Sequence, residues 1–323
     1  MACEPVTSRT LISVVAGCFN EEGNIVELYQ RIVAQFEKLP AYDFELILID
    51  NASTDGTVAT IRRLASVDFR VKAIINTRNF GHIRSPIHGL LQATGSAVIG
   101  MASDLQDPPE LISDFVHQWE AGFKVVVGVK PTSRETAPMF ALRRLYYATV
   151  GRIADIKLIP HFTGFGLYDR SVIEAVRSID DPYPYFRGLI AELGYAYAQV
   201  PYTQPMRVRG VTKSNFYALY DMAMLGITSH SKVPLRLATM AGFALSGFSL
   251  LIAFGYLVLK LTQWEQMSFG MAPILIGFFF FASVQLFFIG LLGEYILQIH
   301  TQVQRRPLVM ERERINFDQQ ADC

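Results

Sequence analysis

The chain is poor in cysteine and histidine, the residues that build disulfide frameworks and many metal sites. Its 323 residues include 3 cysteines and 6 histidines. Cys3, Cys18 and Cys323 lie far apart and have no metal-ligand spacing, so reduced thiols in a cytosolic domain fit the pattern. The histidines that we interpret as loop or helix residues, and not as a metal set, are His82, His88 and His161.

Net charge and the glycine-rich nucleotide motifs are also missing. Lys+Arg and Asp+Glu are both 29, so the formal net charge is zero and nothing suggests a nucleic-acid partner. Met1 to Thr10 has no apolar core behind a basic start, and we expect no signal peptide. No P-loop ending in Gly-Lys-Ser or Gly-Lys-Thr is present, and Gly164-Phe165-Gly166 does not fit the dinucleotide fingerprint. These two nucleotide-binding classes are therefore excluded.

Two long uncharged apolar runs lie near the end of the chain. They are Leu237 to Leu259 and Gln266 to Gly293, and each exceeds the roughly 20 residues that cross a bilayer core as a helix. The connection, Thr262 to Gly270, is too short to hold a domain. The pattern predicts a transmembrane helical hairpin; a pair of buried core helices is the alternative.

The charges around this hairpin indicate its orientation. The basic residues that flank its outer ends are Lys232, Arg236, Arg305, Arg306, Arg312 and Arg314. The connection carries Glu265 and no such cluster, so we expect both chain ends in the cytoplasm and the connection outside. Gly255, Gly277 and Gly290 would permit close helix contacts in a homo-oligomer.

Short apolar runs alternate with helical patterns over the first 130 residues. The predicted strands are Leu11–Ala16, Phe44–Ile49, Val71–Ile75, Ala97–Met101 and Val125–Val129. The predicted helices between them are Ile25–Phe36, Thr57–Leu64, Ser85–Ala93 and Glu110–Trp119. This alternation predicts an α/β fold with a mostly parallel, doubly wound sheet, whose ligands bind at the carboxyl ends of the strands. The polar clusters at 20–22, 50–55 and 104–107 fall at that edge.

The chain therefore divides into four predicted parts. Residues 1–213 form the cytoplasmic α/β domain, and residues 214–232 form an amphipathic stretch that lies in the membrane interface or packs on that domain. Residues 233–300 form the two membrane helices, and residues 301–323 form a basic cytoplasmic tail.

Acidic residues at the ends of predicted strands are the first indication of a binding site. Asp104 directly follows a predicted strand, where a carboxylate can hold a divalent cation that bridges phosphates. An aspartate in such a place is otherwise often a cap or turn residue. Asp50 also ends a strand, so two acids from separate segments converge on one edge. This favours a nucleotide-diphosphate and metal site.

Six segments occur in the order seen in family 2 glycosyltransferases. They are Val14–Ile25 (VVAGCFNEEGNI), Ile49–Thr57 (IDNASTDGT), Arg78–Gly81 (RNFG), Met101–Glu110 (MASDLQDPPE), Gly164–Arg170 (GFGLYDR) and Arg207–Lys213 (RVRGVTK). The set resembles the dolichol-phosphate mannosyltransferase branch most closely. With two C-terminal spans it is similar to bacterial polyprenyl-phosphate glycosyltransferases, including bactoprenol glucosyltransferases, over nearly the whole chain.

The resemblance implies a GT-A fold and roles for individual residues. Asn20 and Glu22 match the first-loop pair near the nucleobase, and Asp50 matches the acid that contacts the base or ribose. Asp104 matches the acid that binds Mg²⁺ or Mn²⁺ on the donor diphosphate, and Gln106 matches a glutamine near the metal or sugar.

Basic residues complete the implied site. Lys130 and Arg144 lie where the family has basic groups around the donor diphosphate, and Arg144 is the implied catalytic cation. Arg207 and Lys213 match the segment that faces the lipid phosphate; a solvated basic loop is the alternative.

Five positions depart from the family pattern. Gly17 replaces the first-loop proline, and Asn51 replaces the second aspartate of the nucleotide-binding pair. Ala102 replaces the first acid of the Asp-x-Asp motif, which leaves one motif carboxylate. Gly166 replaces an arginine, and Thr212 replaces a serine but keeps the hydroxyl.

The resemblance implies inverting, metal-dependent transfer of a sugar from a nucleotide diphosphate to polyprenyl phosphate at the cytoplasmic face of an inner membrane. It favours glucose and UDP, while mannose, galactose, GlcNAc, an amino-arabinose derivative and GDP stay open. A processive polysaccharide synthase is one alternative, although neither Trp119 nor Trp264 lies in the Gln-x-x-Arg-Trp segment of such enzymes. Because of Ala102, a catalytically inactive membrane-anchored nucleotide-sugar-binding protein is another.

Overall fold

The structure, a computed structural model, describes residues 9–130, 159–205, 224–225, 231–262 and 271–317. The chain forms two compact units. The first comprises Met1–Tyr147, Ile156–Asn215 and Gln304–Cys323. The second comprises Ala148–Asp155 and Phe216–Val303.

The first unit is an α/β domain built on one eight-stranded sheet. Its strands are β1 (Thr10–Cys18), β2 (Tyr42–Asp50), β3 (Val71–Asn76), β4 (Ala97–Ala102), β5 (Val125–Val129), β6 (Phe162–Asp169), β7 (Tyr197–Pro201) and β8 (Glu311–Ile315). Its helices are α1 (Glu22–Phe36), α2 (Thr57–Val67), α3 (Gly81–Gln92), α4 (Ile112–Glu120), α5 (Arg170–Ile179) and α6 (Phe186–Glu192). A 3₁₀ turn, Pro109–Leu111, leads into α4.

The strand order is β7-β5-β6-β4-β1-β2-β3-β8. β1 pairs in parallel with both β2 and β4, and the register sets Cys18 opposite Asp50 and Gly17 opposite Ala102. Sequence order reverses at β1, since β2 and β3 lie on one side of it and β4 on the other. Such a switch point leaves a crevice at the carboxyl ends of the strands.

The central strands are buried on both faces, which explains their continuous apolar runs. Along β2, Leu46 and Leu48 face the core beneath α1, α2 and α4, whereas Ile47 and Ile49 face the core beneath α3, α5 and α6. All four side chains are fully buried. The sheet is therefore a rigid middle layer on which the edge loops are positioned.

The C-terminal end of the chain returns to this sheet, where the sequence predicted only a basic tail at 301–323. β8 pairs antiparallel with β3 and covers what would be an open edge. Along β8, Glu311, Glu313 and Ile315 are half-buried, while Arg312 and Arg314 are exposed. The alternating acidic and basic residues therefore belong to a strand that packs one face against the domain and exposes the other to solvent.

The second unit contains two long apolar helices, α7 (Val233–Thr262) and α8 (Met271–Gln304). At 1.5 Å per residue they are about 45 and 51 Å long. Val233–Ile252 and Gly277–Gln304 are long and apolar enough to cross a membrane. The chain leaves the α/β unit before α7 and rejoins it after α8, so a crossing by one helix is reversed by the other. Most of the predicted amphipathic stretch, 214–232, lies outside the described residues.

Candidate active site

A cavity of about 590 Å³ opens at the switch point of the sheet. One wall is the end of β1 with the loop after it (17–21), and a second is the start of α3 with the segment before it (within 79–86). A third is the end of β4 with the loop after it (102–104), and Asn51 also lines the cavity. Its size falls in the usual range for small-molecule sites, roughly 300–1,000 Å³.

Asn20 holds the first wall of the cavity in place. Its φ of 58° is left-handed, and its Oδ1 accepts a hydrogen bond of 2.8 Å from Thr54 N. Its own N–H donates to Ser53 Oγ at 2.9 Å, and that hydroxyl donates to Asp50 Oδ1 at 2.5 Å. Asp50 is fully buried and does not line the cavity. In this structure it braces the wall through Ser53.

Two neighbouring glutamates take different positions. Glu22 is exposed, and its Oε2 accepts from Gly56 N (3.1 Å) at the start of α2, where a negative charge is favourable. Glu21 is 7% exposed, lines the cavity and accepts from Asn24 Nδ2 at 2.5 Å. The structure therefore brings Glu21, and not the predicted Glu22, to the cavity wall.

Asn51 ties the second wall to the sheet. Its Nδ2 donates to Asn79 Oδ1 (2.9 Å) and to Gly81 O (3.1 Å). Its Oδ1 accepts from Phe80 N (2.8 Å) and Asn76 Nδ2 (3.3 Å). An aspartate has no protons to donate when ionised, so the family's usual acid could not make the first two bonds. This explains the departure at position 51.

The loop after β4 carries Asp104 to the third wall. Leu105 has a φ of 63° and a buried side chain, which turns the chain so that Asp104 faces the cavity. Asp104 Oδ1 accepts from Gln106 N at 3.1 Å, which fixes the tip of the loop. Gln106 is half-buried and does not line the cavity.

Asp107 closes this loop from behind. Its Oδ2 accepts from Ala102 N (3.0 Å), and its Oδ1 accepts from Tyr202 OH (2.9 Å). Burial raises the pKa of Asp107, and the positive charge of Lys130 opposes that rise. Asp107 is thus a structural acid, and Asp104 is the carboxylate that this motif presents to the cavity.

Two glycines that depart from the family pattern have steric explanations. A Cβ at Gly17 would lie 3.1 Å from Pro86 Cγ, so α3 leaves little room for a proline ring there. A Cβ at Gly166 would lie 2.3 Å from Val126 O, so β5 leaves no room for an arginine side chain. Both substitutions are local consequences of close packing.

The remaining predicted residues are basic. Lys130 is half-buried, lies 5.8 Å from the centroid of the Tyr202 ring and is near Asp107 rather than on the cavity wall. The other three, Arg144, Arg207 and Lys213, lie outside the described residues. The structure therefore does not test their predicted roles.

The side chains at the cavity suit a cation that binds together with a diphosphate better than a metal that the protein alone would hold. Among the residues that the structure describes, no group of three His, Cys, Asp or Glu side chains could hold an ion. Mg²⁺ keeps several waters and is often bound through one or two carboxylates plus substrate phosphates. Asp104, on the cavity wall, can supply that carboxylate.

Comparison with known proteins decides the family. The sequence model of "Glycosyl transferase family 2" matches residues 13–177, just over half of the chain. The chain belongs to glycosyltransferase family 2. The matched range runs from within β1 to beyond β6 and includes every described wall of the cavity. The protein is therefore a glycosyltransferase, and the GT-A fold expected from its sequence is confirmed.

This family 2 glycosyltransferase has relatives that match almost end to end. An uncharacterized glycosyltransferase of Synechocystis sp. is 31% identical over 93% of this chain and 94% of its own. The SfII prophage-derived bactoprenol glucosyl transferase of Shigella flexneri is 32% identical, with coverages of 92% and 96%. The bactoprenol glucosyl transferase of Shigella phage SfX is 32% identical, with coverages of 94% and 99%.

Among solved structures, a mannosyltransferase from Pyrobaculum calidifontis in complex with GDP-Man and Mn²⁺ is 20% identical, with a TM-score of 0.47. The match covers 94% of this chain and 89% of that one.

Several cavity residues of the glycosyltransferase were missed by sequence reasoning. They are Glu21, Asn79, His82, Ser85 and Ser103. Asn79 and His82 lie in or next to the RNFG segment, which was recognised as a motif without roles for its members. Desolvation and the charge of Arg187 lower the pKa of His82, which favours the neutral form of its imidazole.

Proposed function

We propose that this glycosyltransferase moves a single sugar from a nucleotide diphosphate sugar to polyprenyl phosphate at the cytoplasmic face of a membrane. The observation that carries the proposal is the cavity at the switch point of the sheet, with Asp104 on its wall. Amide side chains of Asn20, Asn51 and Asn79 surround the same space and suit a polar, uncharged nucleobase or ribose.

The site residues divide by the part of the donor that they would contact or support. Asn20, Glu22 and Asp50 would hold the nucleoside, the last two by bracing the loops around it. Lys130 and Arg144 would lie around the diphosphate, and Gln106 would lie near the sugar. Arg207 and Lys213 would bind the acceptor phosphate through charge-assisted hydrogen bonds.

Asp104 would hold Mg²⁺ or Mn²⁺ against the donor diphosphate. The ion would neutralise the negative charge that develops on the leaving group. The chain itself positions Asp104 through the Gln106 N–H and through Asp107 behind the loop. Because this support is independent of the ion, the carboxylate is preorganised for it.

The acceptor explains why a single inverting displacement needs no tuned general base. A lipid phosphate is already anionic at neutral pH, unlike a sugar hydroxyl, so no proton has to be removed from the attacking oxygen. The enzyme's contribution is then to align donor and acceptor and to exclude water. His82 lies on the cavity wall, and its lowered pKa favours the neutral imidazole, which would donate a hydrogen bond without adding charge.

Glucose and UDP are the donor that we propose, and the bactoprenol glucosyl transferases named above support the glucose part. The membrane location is supported by α7 and α8, and the cytoplasmic side by the basic residues at the outer ends of the helix pair.

A transfer assay with the purified full chain tests the proposal. Undecaprenyl phosphate is incubated with labelled UDP-glucose, UDP-galactose, UDP-GlcNAc or GDP-mannose, with Mg²⁺, with Mn²⁺ or with EDTA. We expect label in the lipid fraction with UDP-glucose, lost in EDTA and restored by the metal. If the lipid fraction stays unlabelled with every donor, the proposal is contradicted.

A further inference from the structure

Three arginines converge beside α3 and are not among the residues that line the cavity. Arg78 and Arg84 both contact the ring of Phe80, with Cζ atoms 4.0 and 5.5 Å from its centroid. Desolvation, then the charge of Arg78 and also that of Arg306, lowers the pKa of Arg84. The three guanidinium groups therefore share one electrostatic environment, which we call the arginine cluster.

Within the described part of the chain, no ion pair neutralises the arginine cluster. Arg84 donates to Pro307 O, and its Nε is buried without a hydrogen-bond partner. No carboxylate of the described residues pairs with Arg78, Arg84 or Arg306. Since guanidinium groups repel one another, bringing three together favours an anion between them.

Arg306, one member of the cluster, follows the second apolar helix closely along the chain. Gly277–Gln304 has 28 residues and is about 42 Å long at 1.5 Å per residue. That length matches a bilayer with its headgroups, about 40–45 Å. Val303 is still 74% exposed, so the apolar surface continues to the helix end. Arg306 follows Gln304 by two residues, within about 7 Å.

A second cavity, of about 160 Å³, adjoins the same segment. Arg305 and Arg306 line it, as do Asp180 and Asp181. Arg177 lines it too and is paired with Glu174. The two aspartates therefore face the charges of Arg305 and Arg306, whereas Arg78 and Arg84 are not part of the lining. The cavity offers room for the glycerol part of a headgroup next to the cluster.

We propose that Arg78, Arg84 and Arg306 bind the phosphate of an anionic membrane phospholipid and so hold the α/β unit against the bilayer at the exit of α8. The site would be distinct from the donor cavity and from the acceptor segment. It rests on the membrane location proposed above and on no step of the transfer reaction.

Native mass spectrometry of the full chain in detergent tests this site. The protein is titrated with phosphatidylglycerol, with phosphatidylcholine and with inorganic phosphate. Arg84→Gln keeps a side-chain donor for Pro307 O, and Arg306→Gln alters an exposed residue. Arg312→Gln is the matched control, since it removes one exposed charge from the same segment.

We expect phosphatidylglycerol to bind at least about tenfold more tightly than phosphatidylcholine, and each cluster substitution to weaken it about fivefold. Arg312→Gln should leave it unchanged. Equal affinity for the two lipids, or an equal loss in Arg312→Gln, would overturn the site. Displacement by millimolar inorganic phosphate would overturn its assignment to a lipid. None of these outcomes alters transfer from the nucleotide sugar, which the separate assay measures.

Discussion

At the scale of single residues, Asp104 is the side chain on which the proposed chemistry depends most. Asp104→Asn should lower turnover at least about 100-fold, the scale of losing a main electrostatic stabiliser. The fold should survive, because Asp107 and not Asp104 closes the loop. The measurement is the transfer rate at saturating metal. Asp114→Asn, an exposed change on α4, is the control, and near-wild-type turnover in Asp104→Asn would refute the assignment.

Asn51 should support nucleotide binding by holding the 79–81 segment in place, in addition to any direct contact with the nucleotide. Asn51→Asp removes both donated bonds to the 79–81 segment and sets a carboxylate against two acceptors. We expect a stability loss of about 1–3 kcal/mol together with weaker nucleotide binding, read by thermal unfolding and calorimetry with UDP.

Asn316→Asp is the matched control for Asn51. Asn316 also donates to two carbonyls, Ala65 O and Val71 O, but lies away from the cavity. Asn316→Asp should lower stability without changing the affinity for UDP. If both variants weaken UDP binding equally, the proposed positioning role of Asn51 is wrong.

For single residues, the sequence predicted which loops form the site but not where each side chain points. Asp104 could be predicted to reach the cavity because it directly follows an apolar strand. Asp50 is the last residue of β2, yet its carboxylate accepts a hydrogen bond from Ser53 N and does not line the cavity. Glu22 contacts Gly56 N, whereas the neighbouring Glu21 lines the cavity. A sequence gives the loop but not the side-chain directions, which depend on partners brought from other strands.

At the scale of elements, β8 should respond to acid. Burial alone would raise the pKa of Glu311, but hydrogen bonds from Arg314 and His88 outweigh it and lower the pKa below its ordinary 4.5. A lowered pKa contributes stability above that ordinary value, and the contribution is lost as the pH falls through the lower, folded-state value. Hydrogen-exchange protection of 311–315 should therefore drop below about pH 4.5.

Glu311→Gln should remove most of this pH dependence and lower the protection of β8 at neutral pH. Glu313→Gln is the comparison, because the Arg62–Glu313 pair is more exposed, at 52% and 36%, and more screened. An equal effect of the two substitutions would contradict a specific role for Glu311.

The elements that could be predicted are those with continuous apolar runs. β1 to β5 were all expected, since their side chains are buried on both faces of the sheet. α3 begins at Gly81, a turn before the predicted Ser85, because Asn51 and Asn79 hold the preceding segment. β8 escaped prediction because it alternates charged residues at a sheet edge, where burial is partial. Its pairing with β3 spans more than 200 residues of sequence.

At the scale of the whole molecule, the return of the chain to the sheet after α8 predicts a hairpin topology. In a chain with Cys3, Cys18 and Cys323 replaced, one single cysteine is placed at Gln266, in the connection before α8, and another at Gln304, the last residue of α8. Gln304→Cys should react with an impermeant reagent from the side of the α/β unit, and Gln266→Cys from the opposite side. Reaction of both from one side would refute two crossings.

The proposed acceptor is a lipid phosphate, and the proposed product carries one sugar. The most direct measurement compares undecaprenyl phosphate with undecaprenol, using labelled UDP-glucose and the purified full chain. We predict one labelled sugar per lipid, joined through phosphate, and no product from the alcohol, which has no anionic nucleophile. Transfer to the alcohol at a comparable rate, or a lipid carrying a chain of several sugars, would contradict the account.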